Sequence, residues 1–177
     1  MFKVKYKKLK INRGFSLMES MLSVFVLLIG IVGVISLMVS STKHSMDSRD
    51  TIIATELAQE GLELVRNVRD NNVAGGKDSF VDFPVSESHN CRVSYNSSGS
   101  IPCDSSYVLN YVDNFYTHSG SGATKFQRKI EFDYDQSASA ASTKVTVTST
   151  VVWGGSFPTS CTVADKCTSV QSILVAR

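Results

Sequence analysis

Seven residues of this chain have the chemistry to be cut, modified, paired or bridged at defined positions: Gly14, Phe15, Glu19, Cys91, Cys103, Cys161 and Cys167. Gly14 lacks a Cβ and so offers a peptidase a narrow, flexible backbone. Cleavage after it would give Phe15 a free α-amine. Glu19 follows four positions later and precedes a run, Ser20 to Thr42, with no charged residue. An acid at the centre of a lipid-embedded helix costs roughly 3 kcal/mol on insertion scales. Glu19 therefore needs a partner, or must reach the headgroup layer, where a carboxylate at a helix N-terminus is also favourable. Both roles require a helix that starts near Ser16.

Other chemistries find little support in the residue types. The chain has three histidines, His44, His89 and His118. A Cys–His nucleophile needs a free thiol, and an even set of four cysteines can pair off completely. The serines are numerous, but no Gly-x-Ser-x-Gly turn is present to activate one. Neither cysteine pair has the CxxC spacing of zinc ribbons or fingers. Glu131, Asp133 and Asp135 share a strand face, and the plainer reading of that row is a solvated surface rather than a cation site. Lys125 and Lys129 fall on the strand face opposite Phe126 and Arg128, so no single basic and aromatic surface for nucleic acid forms. No enzymatic activity, cofactor, metal or nucleic-acid partner is expected.

The elements that position these residues begin with a basic leader. Lys3, Lys5, Lys7, Lys8, Lys10 and Arg13 hold six of the eighteen basic residues, so the formal +2 of the chain is a local matter. Without residues 1–14, twelve Lys and Arg face sixteen Asp and Glu, a net −4. Basic residues beside an apolar span tend to stay cytoplasmic, which exports everything after Val39. The apolar run over residues 15–42 exceeds the ~20 residues that a spanning helix needs. Ser20, Ser23 and Ser36 are tolerated in lipid because a serine hydroxyl can bond the preceding turn.

From residue 43 to 72 the pattern becomes amphipathic. Ile53, Leu57, Gly61, Leu64 and Val68 recur at helical steps, with Ala54 and Val65 beside them. Glu63–Arg66 and Arg66–Asp70 are helix-compatible charge pairs, and Asn71-Asn72 followed by Gly75-Gly76 supplies a stop. Residues 73–177 read as strands and loops. Phe126 to Tyr134 and Val145 to Trp153 alternate with period two, joined across Ser137–Ser142 as a hairpin, and Val170 to Val175 makes a last strand. Ser79–Val85, Arg92–Tyr95 and Tyr107–Tyr116 are shorter or less regular candidates. The expected fold is α+β, a long N-terminal helix whose amphipathic half packs on a C-terminal antiparallel sheet. The four cysteines all lie in the exported part, where disulfides persist. Three pairings are open to them. The two short-range closures, Cys91–Cys103 and Cys161–Cys167, are expected, each for roughly 2–3 kcal/mol if unstrained.

In a secretory signal peptide the small-residue cleavage site follows the apolar core. Here Gly14 precedes it, so a cut would remove the leader and keep the membrane segment. That order, with Arg13-Gly14-Phe15-Ser16-Leu17-Met18-Glu19, closely resembles the type IV prepilin signal over Gly14 to about Val39. The resemblance implies cleavage after Gly14 by a prepilin peptidase and methylation of the Phe15 amine. It also implies a Glu19 that pairs with the N-terminal amine of an adjacent subunit during filament assembly. Implied partners are other pilin or pseudopilin subunits, an assembly ATPase with its membrane platform, and membrane lipid. The implied location is the cytoplasmic membrane in a single pass, then a surface or periplasmic filament. Met18 stands where a branched aliphatic is frequent in the family. The apolar run also lacks the proline that abundant major pilins often carry, which leans towards a minor pilin or a type II secretion pseudopilin.

Overall fold

The structure is a computed structural model that describes residues 16–84, 88–95, 99–104, 106–135, 143–162 and 165–177. The leader, Gly14, Phe15, Val85 and the Ser137–Ser142 connection lie outside the described residues. The chain divides into two compact units, Met1–Ser45 and Met46–Arg177. One α-helix, α1 (Leu17–Ala74), runs through both.

In the first unit the helix opens where the Ser16 carbonyl accepts the amides of Glu19 and Ser20, at 3.0 and 3.1 Å. The Ser20 and Ser23 hydroxyls return to the carbonyls of Ser16 and Glu19, at 3.4 and 2.8 Å. Those bonds satisfy hydroxyls that would otherwise be costly in an apolar medium.

In the second unit the same helix ends in a Schellman motif, as its terminal glycine pair demands. The Lys77 amide donates to Asn72 O at 2.9 Å and the Gly76 amide to Val73 O at 3.0 Å. Gly76 takes φ 69°, a left-handed conformation that costs glycine little. Among the described residues six strands follow: β1 (Ser88–Cys91), β2 (Val108–Val112), β3 (Phe115–Thr117), β4 (Ala123–Tyr134), β5 (Lys144–Trp153) and β6 (Cys167–Val175). They form one antiparallel sheet of order β3-β2-β4-β5-β6. On the side of β4 away from β5, β2 pairs with Ala123–Gln127 and β1 pairs with Ile130 and Phe132. The fold is thus α+β, the second half of the long helix packed on an antiparallel sheet.

The strand assignments differ from the expected ones in four places. Tyr107–Tyr116 is no single strand, because Asp113 and Asn114 take φ 51° and 70° and turn the chain back as a two-residue hairpin. Ser79–Pro84 makes turns that bury Phe80 and Phe83. The strand expected at Arg92–Tyr95 lies instead at Ser88–Cys91, and the last strand starts earlier, at Cys167.

The core forms between the sheet and residues 54–72 of the helix. The buried helical face is Ala54, Leu57, Ala58, Gly61, Leu62, Val65, Arg69 and Asn72. This stripe is rotated slightly from the expected one, leaving Ile53, Leu64 and Val68 only half-buried. The cause is size: Ala54, Ala58 and Gly61 let the backbone approach the sheet, and the larger aliphatics flank the contact. Two clusters result. One gathers Leu62 and Val65 with Phe80, Phe83, Ile130, Phe132, Val145, Val147 and Leu174. The other gathers Ala54, Leu57 and Ala58 with Leu109, Phe126, Val151 and Trp153.

Candidate functional site

In the first unit, everything that could act is carried on one bare helix. From Leu17 to Val39 every large apolar side chain is more than half exposed. The most apolar window of the helix has a mean hydropathy of 2.9 and is 0% buried within the chain. Burying such a surface is the main driving force open to this segment, so its natural surroundings are lipid or other helices. The helix is long and apolar enough to cross a membrane, and it stands as a candidate anchor. Ser20 to Thr42 is uncharged, about 35 Å at 1.5 Å per residue, against a hydrocarbon layer of about 30 Å. Glu19, exposed in the first turn, is the sole charge between the helix start and Lys43. No cation of the described residues forms an ion pair with it.

The second unit holds a buried charge on the inner face of its sheet. Arg128 sits on the core face of β4, between the two apolar clusters, with 0% exposure. Its Nη1 donates to Leu57 O at 3.0 Å and its Nη2 to Val93 O at 2.8 Å. Glu60 Oε1 lies 3.4 Å from Nη1 and supplies the counter-charge. Burial pushes the Arg128 pKa down and the Glu60 carboxylate opposes it. Removing Glu60 would be costly because the Arg128 charge it faces is fully buried and would stay desolvated. Arg128 therefore clamps the helix, β4 and the Val93 segment in one arrangement. Nothing in the sequence distinguished it from Lys129; only its place in the alternating pattern hinted at burial.

The other charged pairs sit at the rim. Lys125 Nζ contacts Asp50 Oδ2 at 2.6 Å, tying β4 to the helix, and Lys129 pairs with Glu131 at 3.0 Å. Glu63 pairs with Arg66 as expected. Asp70 instead pairs with Arg69, at 2.7 Å, and Arg66 also reaches Ser172 Oγ at 3.4 Å. Asp135 accepts from Thr143 Oγ1 at 2.8 Å, and Asp133 is exposed. Among the described residues no cluster of metal-ligating side chains forms.

Disulfides join Cys91 to Cys103 and Cys161 to Cys167, the two short-range closures. Cys91 is fully buried in the first core cluster, so its bridge ties Cys103 to the core. The second bridge closes the turn that leads into β6. His118 is buried, and its pKa is pushed down to about 4. Burial is the main cause, and the Arg128 and Arg92 guanidiniums add to it. The Val108 backbone and Asp104 act the other way.

The chain matches no protein-family model, no curated protein and no solved structure.

Proposed function

We propose that this chain is a structural subunit of a type IV pilus or related filament, a minor one, processed after Gly14 and assembled through its N-terminal helix. The observation that carries the reading is the placement of Glu19. A single acid opens an exposed apolar helix of membrane-spanning length, directly after the Gly14-Phe15 pair and a basic leader. A lone carboxylate on such a surface gains most from a cation delivered by a neighbour, and the α-amine of a cleaved Phe15 is one. The helix–sheet unit supports the same reading, since a rigid exported head on a packing helix is what a filament subunit requires. On this reading the protein is inserted in the cytoplasmic membrane with its head exported. Its partners are other pilin or pseudopilin subunits, a prepilin peptidase, and an assembly ATPase with its membrane platform. The absence of proline from residues 15–42 supports a minor pilin over an abundant major one, and equally a second version of the same role, a type II secretion pseudopilin.

Two measurements test the proposal. Intact mass of the membrane-extracted protein, co-expressed with a compatible peptidase, should show a chain beginning at methylated Phe15, and a Gly14 variant should remain uncut. Glu19→Ala should vanish from sheared filaments while still reaching the membrane. An uncut wild-type chain, or a Glu19→Ala subunit that enters filaments as well as wild type, leaves a membrane-anchored domain that does not polymerise.

A further inference from the structure

The exposed aromatic side chains of the second unit, among the described residues, gather at one place. Tyr95, Tyr111 and Phe115 are 51%, 49% and 54% exposed. Tyr111 and Phe115 flank the Asp113-Asn114 turn between β2 and β3, and the Tyr95 ring stands 4.8 Å from that of Phe115. Residues paired across two strands share a face of the sheet. Tyr111 pairs with Tyr116, which packs against the second core cluster, whereas Phe115 pairs with Val112. Tyr111 therefore stands on the helix side of this hairpin, and Phe115 with Tyr95 on the other.

The course of β4 fixes where the hairpin points. Lys125 meets Asp50, Arg128 meets the Leu57 carbonyl, and Ile130 packs on Gly61. β4 thus advances with the helix, and its first residue, Ala123, lies towards Met46. Asn110 of β2 pairs with Ala123 in the antiparallel sense, so Tyr111 to Tyr116 project past that end of β4. The tip is therefore at the end of the second unit where the helix enters it. The uncharged run stops at Thr42, eight residues before Asp50, and a helix covers eight residues in about 12 Å.

We infer that the β2–β3 hairpin is a membrane-docking tip, which dips edge-on into the headgroup layer of the bilayer that anchors the same chain. Three observations choose lipid as the occupant. Aromatic rings are exposed on both faces of the tip; a folded partner covers one face, while a fluid layer covers both. From Val108 to Gly122 the only charged residue is Asp113, so little charge has to be desolvated. Tyrosine suits that layer, since its ring meets the apolar boundary while its hydroxyl stays wet. β3 is an edge strand, and its free backbone groups, like Asp113, still require water. That requirement holds the tip at the headgroups and out of the hydrocarbon. The inference rests on the membrane-anchor part of the proposed function, and not on cleavage or filament assembly.

The test is tryptophan quenching of the full chain in vesicles of phosphatidylcholine brominated near the headgroup. Trp153, the single native tryptophan, is buried and sets the baseline. Phe115→Trp and, separately, Tyr111→Trp each add an indole at an exposed position, and intact mass confirms both disulfides in each variant. Val39→Trp, late in the apolar run, reports insertion of the helix. Ile173→Trp is the control, exposed on β6 at the level of Asp133, the far end of β4. Indoles settle at the headgroup level, so both hairpin variants should be quenched at least about threefold more than Ile173→Trp, with bluer emission. If Val39→Trp is quenched and the hairpin variants match Ile173→Trp, the docking tip is overturned and the anchor stands. If Val39→Trp is not quenched, both are overturned. Hairpin emission that is blue-shifted but unquenched would mean that protein covers the tip, which also overturns the inference.

Discussion

His118, buried and facing the Arg128 guanidinium, gives the second unit a stability that depends on pH. The unfolded chain takes up a proton on His118 near pH 6.5, while the folded chain resists until about pH 4. Between those values the unfolded state binds more protons, so stability falls as pH falls. Above about pH 6.5 and below about pH 4 this residue contributes no slope. The expected loss between pH 7 and pH 4 is on the order of 3 kcal/mol. Urea unfolding at a series of pH values should show it, and His118→Gln should flatten the curve in that window. An unchanged curve would place His118 in contact with solvent. Arg128 keeps its charge throughout, because a guanidinium is basic enough to stay protonated in proteins.

At the scale of elements, Gly61 decides how closely the helix approaches the sheet. A Cβ added there would stand 2.6 Å from Ser149 Oγ, 3.0 Å from Arg128 Cδ and 3.1 Å from Ile130 Cδ1. Alanine would gain up to about 1 kcal/mol in helix propensity. Overpacking costs about 1–3 kcal/mol, and the crowded Arg128 is already held by two carbonyls. Gly61→Ala should therefore lower stability by about 1–2 kcal/mol. Ser149 Oγ is buried and has no hydrogen-bond partner among the described residues, so Ser149→Ala should recover part of that loss. A double-mutant cycle in urea measures the coupling. Additive effects would mean that the helix simply shifts outward to accommodate the methyl group.

For the molecule as a whole, the division into two units carries its own expectation. The two apolar clusters that hold the sheet to the helix draw on residues 53–174 and on none before Ile53. A chain of residues 46–177, made under oxidising conditions, should fold cooperatively, with both disulfides, and remain soluble without detergent. Circular dichroism on heating and intact mass would check this. A broad, non-cooperative transition would mean that the preceding helix is needed to hold the buried face of residues 54–72. The first unit, by contrast, should require lipid, detergent or partner helices, because its large apolar side chains find no cover within the chain.

Much of this architecture was legible from local pattern. An uncharged run of 23 residues after Glu19, a three-and-four-residue apolar repeat, and two alternating segments rely on periodicities of 3.6 and 2, which a sequence displays directly. The glycine pair after Asn72 and the even cysteine count act over short separations, so their consequences are local as well. What the sequence by itself determined was therefore the kind and order of elements, and the reading proposed above for Gly14, Phe15 and Glu19 rests on it. Tertiary structure decided the rest. Which helical stripe faces the sheet turned on small residues at one contact, and Arg66 reaches Ser172, more than a hundred positions away. Arg128 became a buried clamp because Leu57, Glu60 and Val93, distant in sequence, converge on it. Such partners arise from packing in three dimensions, and no one-dimensional period encodes them.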